Sequence, residues 1–158
     1  MTWTVRRGGA ADVEACHDVY YDAVRNGTSP HYSAEQAAAW APSRKPEDWL
    51  EPRLAVGTTW IAESVDRAEG FLTVTDAGHL DFFFVRPQWR RSGLSSALYD
   101  QMQAWTDARG LTHLTTYASH LCRRFLERRG WVVLHGETAL RNGVELTRWE
   151  MAKGRPEP

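Results

Sequence analysis

Cysteine and lysine are scarce in this chain. Its 158 residues hold only Cys16 and Cys122, Lys45 and Lys153. No cysteine or histidine pair has the spacing of a zinc-ligand set, which argues against a structural metal. Both cysteines fall on apolar faces of predicted helices and read as buried thiols. Such sparing cysteine use points to a reducing cytoplasm. Long apolar runs are also missing: nothing approaches the ~20 residues of a membrane span. Positions 1–9 lack the apolar core of a secretory signal and carry Arg6 and Arg7 early, so no leader is expected. Excess charge of one sign is absent too, with 19 Lys+Arg against 20 Asp+Glu and a formal net charge of -1. That balance argues against a nucleic-acid coat or a polybasic membrane-surface protein. What remains is a globular composition, 42% hydrophobic and 25% charged, in one domain long enough to bury a core without staples.

The hydrophobic periodicity sets out the elements in order. A short strand is expected at Thr2–Arg6 and an amphipathic helix at Asp12–Arg25, closed by Asn26-Gly27. Thr28–Tyr32 reads as a loop. Ser33 and Gln36 form a capping box that opens a helix to about Trp40. Pro42 stops that helix, and Pro46 opens another short turn with Trp49 and Leu50 on one side. Strands follow at Thr59–Ser64, Gly70–Thr75 and His79–Val85. The last contains Phe82, Phe83 and Phe84 in a row and so suggests burial on both faces. A long helix is expected at Ser92–Arg109, a strand at Leu111–Ala118 and a helix from the Ser119 cap to Arg129. Two closing strands, Trp131–Leu140 and Glu145–Ala152, flank the turn at Arg141-Asn142-Gly143. The order predicts a single α+β domain over residues 1–153, with a mixed, mostly antiparallel central sheet flanked by helices, and a frayed tail at 154–158.

The segment from Val85 to Leu98 carries the clearest chemical signal. A buried strand ends, a tight polar loop follows, and a long helix starts from it. The first-turn N–H groups of such a helix have no intrahelical partner and lie at the positive end of its dipole, which suits an anion. Gly93 lets backbone approach a ligand closely. Ser92, Ser95 and Ser96 add hydroxyls, while Arg90 and Arg91 add charge suited to phosphate. The three-glycine dinucleotide fingerprint and the Gly-Lys-Ser/Thr loop of nucleotide hydrolases are both absent.

This loop resembles motif A of the GCN5-related N-acetyltransferases. Arg90, Gly93 and Ser95 fit its Arg/Gln-x-x-Gly-x-Gly/Ala pattern, with Ser95 a small departure in the last place. The stretch Ser119–Trp131 looks like the family's motif B through Ser119, Cys122, Phe125, Gly130 and Trp131. The element order also matches from Thr2 to Ala152. The resemblance implies that acetyl-CoA is a co-substrate, with its pyrophosphate on the N–H groups from Arg91 to Ser96, Leu94 included. It further implies a pantetheine arm along Phe83, Phe84 and Val85, with Ser119 and Cys122 close by. The expected reaction is direct acetyl transfer to a primary amine of a small molecule or peptide. The Val85 N–H then stabilises charge on the thioester oxygen. The alternatives are an acyl-CoA-binding module of the same fold and an unrelated domain whose loop only caps a helix. The family's edge-strand pairing makes a homodimer plausible.

One departure concerns proton transfer. The tyrosine that often protonates the leaving thiolate in this family is replaced by Leu126. Tyr117, at a strand end, and Cys122 are the candidate donors in its place. Asp81 is the candidate base, because a carboxylate kept from water inside an aromatic strand is a stronger proton acceptor. Strict alternation puts it on one face with His79, Phe83 and Val85. Glu63 and His120 are lesser candidates. The resemblance places the acceptor pocket at the first two helices and their loop, at Tyr20, Tyr21, His31, Tyr32 and Trp40. Aromatic walls beside a carboxylate suit a small cationic or aromatic amine. Arg123, Arg124, Arg128 and Arg129 read as a solvated helix face with favourable dipole interactions, with Arg123 or Arg124 able to reach phosphates.

Overall fold

The computed structural model describes residues 2–155. Seven strands form one sheet in the order β1-β2-β3-β4-β5-β7-β6. They are β1 (Thr4–Gly8), β2 (Thr58–Glu63), β3 (Ala68–Val74), β4 (His79–Val85), β5 (His113–Ala118), β6 (Val132–Arg141) and β7 (Val144–Gly154). Every neighbouring pair is antiparallel except β4 and β5, which run parallel. The helices are α1 (Val13–Gly27), α2 (Ala34–Trp40), α3 (Leu50–Val56), α4 (Leu94–Ala108) and α5 (His120–Glu127). Among the described residues no helix is long and apolar enough to cross a membrane.

Two apolar layers sandwich the sheet. On one side Leu94, Leu98 and Met102 of α4 and Leu126 of α5 pack on Leu72, Leu80, Val85 and Met151. On the other, Cys16, Val19, Tyr20 and Val24 of α1 join Leu50 and Leu54 of α3 over Ile61, Phe71 and Phe82. A fully buried leucine or methionine of this kind stabilises the fold by about 1.5–3 kcal/mol relative to exposure. The architecture is thus the three-layer α+β arrangement that the element order implies.

Local signals account for most boundaries. The Ser33 hydroxyl accepts from the Gln36 N–H at 3.0 Å, and the Gln36 side chain accepts from the Ser33 N–H at 2.8 Å, so the capping box forms as read. The helix expected from Pro46 instead begins at Leu50 and runs to Val56. Pro52 falls in its first turn, where an amide has no intrahelical acceptor to lose. The first strand lies two residues later than its alternation suggested, with Thr4 opposite Glu63 and Gly8 opposite Thr59. The last strand extends to Gly154, so that end of the expected frayed tail is paired, opposite His113. Positions 156–158 of that tail lie outside the described residues.

Two irregularities in β4 create the cleft. The first is a bulge: Thr73 and Val74 of β3 face Phe82 and Leu80, leaving Asp81 as an extra residue. The face parity of β4 therefore changes at Asp81. Leu80 packs with Phe83 and Val85 on the α4 side, while Phe82 and Phe84 pack on the α1 side. Second, β4 and β5 pair only at His79–Thr115 and Leu80–Thr116. Beyond Leu80 the two strands splay. The Arg86 N–H donates to Glu69 O at 2.9 Å, on the β3 side. By alternation the backbone groups of Phe83 and Val85 then face the open side.

Candidate active site

Two cavities meet at the splay. Tyr32, Trp40, Phe84 and Ser119 line both. The larger, of about 450 Å³, runs from Phe83–Val85 across the start of α4 to α5. Among the described residues, five arginines line it (Arg90, Arg91, Arg124, Arg128 and Arg129), and no carboxylate does. At its floor Gly93 holds φ +88°, a left-handed conformation that suits glycine, and Arg91 holds φ 63°. Among the described residues, the N–H groups of Arg91, Gly93, Ser95 and Ser96 have no backbone acceptor. Arg129 donates to Ser96 Oγ at 2.6 Å and lies over the Phe125 ring at 3.9 Å, tying the end of α5 to the first turn of α4.

Most of the loop residues singled out in the sequence surround this cavity, but not in equal ways. Ser92 turns its hydroxyl inward, donating to Trp89 O and accepting from the Leu94 N–H at 3.3 Å. The Leu94 side chain is fully buried in the core. Neither residue lines the cavity, because both serve the turn itself. Arg90 lines it while donating to Gly27 O at 2.7 Å, at the end of α1. A Cβ at position 27 would collide with that guanidinium and come within 2.9 Å of the Pro87 ring, so glycine is needed there. Arg124 on α5, with Arg128 and Arg129 just past its end, rims the cavity, and because Arg124 and Arg128 remain exposed the expected solvated face also borders the cavity. Arg123 is the exception, paired with Glu127 at 3.2 Å and lying over Trp149. The sequence signal was present as basic residues at i, i+4 and i+5 of one short helix and its end.

Leu126 is fully buried beneath α5 and does not reach the cavity. Cys122 lines the cavity, and burial pushes its thiol up to about 12. Cys16, the core thiol, is likewise pushed up to about 12, chiefly by burial. His31 and His120 also line this cavity rather than the other, their rings stacked 3.6 Å apart. Burial, the neighbouring His31 and two arginines hold His120 below the usual histidine value.

The smaller cavity, of about 210 Å³, lies against β4 and β5. Its walls include Tyr20, Trp49, Phe82, Arg141, Arg148 and the expected Tyr117. Asp81 opens onto it with Phe82 and Phe84, not with Phe83 and Val85, because the bulge turns it to the α1 side. Its carboxylate is bound twice by Arg53, through Nε at 3.0 Å and through Nη2. His79 shares this cavity. Its Nδ1 lies 2.8 Å from Thr115 Oγ1, and burial holds its pKa below the usual histidine value. Tyr117 is half exposed, with Arg148 over its ring at 4.3 Å. Tyr32 sits at the junction, donating to Thr147 O at 2.7 Å and accepting from the His120 N–H at 3.3 Å. Burial raises its phenol pKa.

Two expected residues lie elsewhere. Tyr21 lines neither cavity; its ring carries Arg25 and Arg44 at 5.1 and 4.8 Å. One helical step from Tyr20 suffices to turn it off the pocket. Glu63, at the far end of β2, pairs with Arg6 at 3.1 Å.

The mixed sheet parts between its two parallel strands, and an arginine-lined cavity lies over the helix that follows. A family model described as an acetyltransferase (GNAT) domain matches residues 28–153. The chain belongs to the GNAT acetyltransferase family. It is 27% identical over 147 residues to YafP of Escherichia coli K12, an uncharacterised N-acetyltransferase, covering 93% of each chain. A GCN5-related N-acetyltransferase structure from Rhodopseudomonas palustris superposes with a TM-score of 0.88 at 27% identity, over 98% of this chain and 97% of that one. PaiA N-acetyltransferase from Thermoplasma acidophilum, solved in complex with coenzyme A, shares the fold. Its TM-score is 0.74 at 15% identity, over 98% of this chain and 100% of that one.

Proposed function

We propose that this protein transfers the acetyl group of acetyl-CoA to a primary amine of a small molecule, by direct attack within a ternary complex. The observation that carries the reading is the pair of cavities, one with five arginines and no acid, joined across the open edge of β4. The arginine-lined cavity fits the phosphates of CoA. Arg91, Gly93, Ser95 and Ser96 offer free N–H donors, and Arg124, Arg128 and Arg129 offer forked ones. Acetyl-CoA supplies a thioester whose carbonyl carbon is open to attack and whose thiolate is an acceptable leaving group.

The residues of the chain divide the remaining work. An amine with a pKa near 10 arrives largely as ammonium and must lose a proton before it can attack. His79 takes that proton, since burial keeps it neutral at physiological pH, and its Nδ1 contact with Thr115 orients the ring. Asp81, held by Arg53, positions the pocket and balances charge near the ammonium. The Val85 N–H donates to the carbonyl oxygen as negative charge grows there. The carbon–nitrogen bond forms, the carbon–sulfur bond breaks with its electron pair on sulfur, and the new amide nitrogen sheds its second proton. Tyr32, which lines both cavities, returns a proton to sulfur by releasing its hydroxyl from Thr147 O and regains one from solvent; Tyr117 is the alternative donor from the acceptor side. Two reactants held in one cleft gain up to roughly 7–11 kcal/mol from lost translational freedom alone.

An amine panel with thiol detection tests the reading. Amine-dependent release of free CoA is the expected result. Tight acetyl-CoA binding with no release for any amine would favour instead an acyl-CoA-binding module, the reading that Leu126 in place of the usual tyrosine supports.

A further inference from the structure

The smaller cavity bears a charge pattern that does not suit a simple cationic amine. Among the described residues its wall carries Arg53, Arg141 and Arg148 but only one carboxylate, Asp81, which Arg53 already binds through two nitrogens. The other two guanidiniums are fixed by Glu137, by Glu47 and by the backbone of Trp40, and neither glutamate lines the cavity. Arg148 Nε donates to Glu137 at 2.5 Å, and Arg141 Nη2 lies 3.6 Å from Glu47 and donates to Trp40 O at 3.2 Å. Each also lies over an aromatic ring, Arg148 over Tyr117 at 4.3 Å and Arg141 over Trp49 at 5.6 Å. Both Nη groups of Arg148 hydrogen-bond to no protein atom among the described residues, while Arg141 has the Tyr20 hydroxyl beside it as a further partner within the cavity. Planar donors immobilised in this way match a carboxylate in forked geometry and lose little freedom on binding it.

We infer that the acceptor is an amine that also bears a carboxylate, such as an amino acid, with Arg141 and Arg148 forming the carboxylate subsite. This rests on the transferase reading and specifies its substrate class. The size agrees: about 210 Å³ holds a molecule of amino-acid scale rather than a folded protein segment. The aromatic walls admit an apolar side chain, and the ammonium end is left to His79 and Asp81. Glu47 and Glu137 offset the charge of the two arginines. The subsite therefore draws its selectivity from directed N–H donors rather than from a long-range field.

The test compares a panel of α-amino acids, each beside its own carboxamide, on the full chain saturated with acetyl-CoA. Rates are expressed per unprotonated amine. The carboxylate forms are expected to show kcat/KM higher by about tenfold or more, as charge-assisted hydrogen bonds would give. Arg148→Gln should collapse that ratio through KM while leaving the acetyl-CoA Kd unchanged by calorimetry. Binding of the N-acetylated products in the presence of CoA, carboxylate against carboxamide, is followed by NMR and needs no turnover. Carboxylate-selective product binding that Arg148→Gln abolishes upholds the subsite even if no amine is acetylated, in which case only the transferase reading falls. Equal treatment of carboxylates and carboxamides in both assays, or a preference for the carboxamides, overturns the subsite whatever the turnover. Should Arg148→Gln not fold, Arg141→Gln gives the same reading from the other side of the fork.

Discussion

Arg53 and Asp81 form a two-point ion pair at the wall of the smaller cavity, from the second turn of α3 to the bulge in β4. A carboxylate already receiving two guanidinium donors is poorly placed to collect a proton from substrate, whereas neutral His79 nearby is free to do so. The pH profiles should separate the two. In wild type, kcat/KM rises with pH through an acidic limb below the ordinary histidine value of about 6.5, because burial lowers the His79 pKa. Asp81→Asn should keep that limb while raising KM. His79→Asn, which preserves a donor towards Thr115, should erase the limb and lower kcat by about 100-fold or more. A limb that vanishes with Asp81→Asn and survives His79→Asn would reverse the assignment.

The proton that reaches sulfur is predicted to come through Tyr32. Tyr32→Phe keeps the ring against Trp40, 5.4 Å away, but orphans Thr147 O and the His120 N–H. Stability should fall by about 1 kcal/mol and kcat by about tenfold or more. Tyr117→Phe, at a half-exposed position, should lose less. The larger loss in Tyr117→Phe would make that residue the donor. Leu126→Ala makes a useful contrast, since Leu126 fills core rather than cleft. It should cost about 2–5 kcal/mol in chemical denaturation, with little change in kcat of the folded protein.

The phosphate-side cavity yields a binding prediction. Arg129→Ala removes the guanidinium that joins Ser96 to Phe125. Calorimetry should show acetyl-CoA affinity weakened by about tenfold, with a shallower salt dependence, because one cation no longer meets a phosphate. Gly93→Ala meets open space, its nearest neighbour being Trp3 at 3.8 Å, so its penalty is the left-handed backbone alone, about 1–2 kcal/mol. An unaltered affinity in Arg129→Ala would remove α5 from the phosphate site.

How far the sequence could be read depended on whether a feature was local. The Ser33–Gln36 capping box and the Gly93 turn are short-range chemistry, and both form where the residue types put them. The bulge at Asp81 arises from pairing between β3 and β4, so no alternation rule applied to β4 alone reveals it. The same applies to the two arginine sets. Arg53, Arg141 and Arg148 come from α3, β6 and β7, and only the assembled sheet brings them to one wall. On α5 the basic cluster was visible, but its direction was not. Solvent and cleft lie on adjacent sides of that short helix, and the position of α4 decides which side faces which.

Arg86 supplies a test of what holds the cleft in place. It follows β4 directly, is almost fully buried, and hydrogen-bonds Asp18 at 2.6 Å, Asp22 at 3.0 Å and Ala68 O at 3.0 Å, with Glu69 at 3.7 Å. The strand end that opens the cleft is thereby tied to α1 and β3. Burial alone would raise the Asp22 pKa, but hydrogen bonds from Asn26 and Arg86 outweigh it and hold the carboxyl below its ordinary range. A group whose folded value lies below its unfolded one favours the fold above the unfolded value, about 4 for aspartate. That contribution is lost as pH falls from about 4 towards the folded value. Thermal stability should therefore decline in two stages, first below about pH 6.5, where His79 and His120 gain a proton more readily on unfolding, and further below about pH 4. Arg86→Met leaves the three carboxylates without their shared cation and should cost about 3–5 kcal/mol at neutral pH. Its acid decline should also be shallower, because Asp22 no longer gains from being ionised. A variant with wild-type stability and an unchanged acid slope would show that the anchor lies elsewhere.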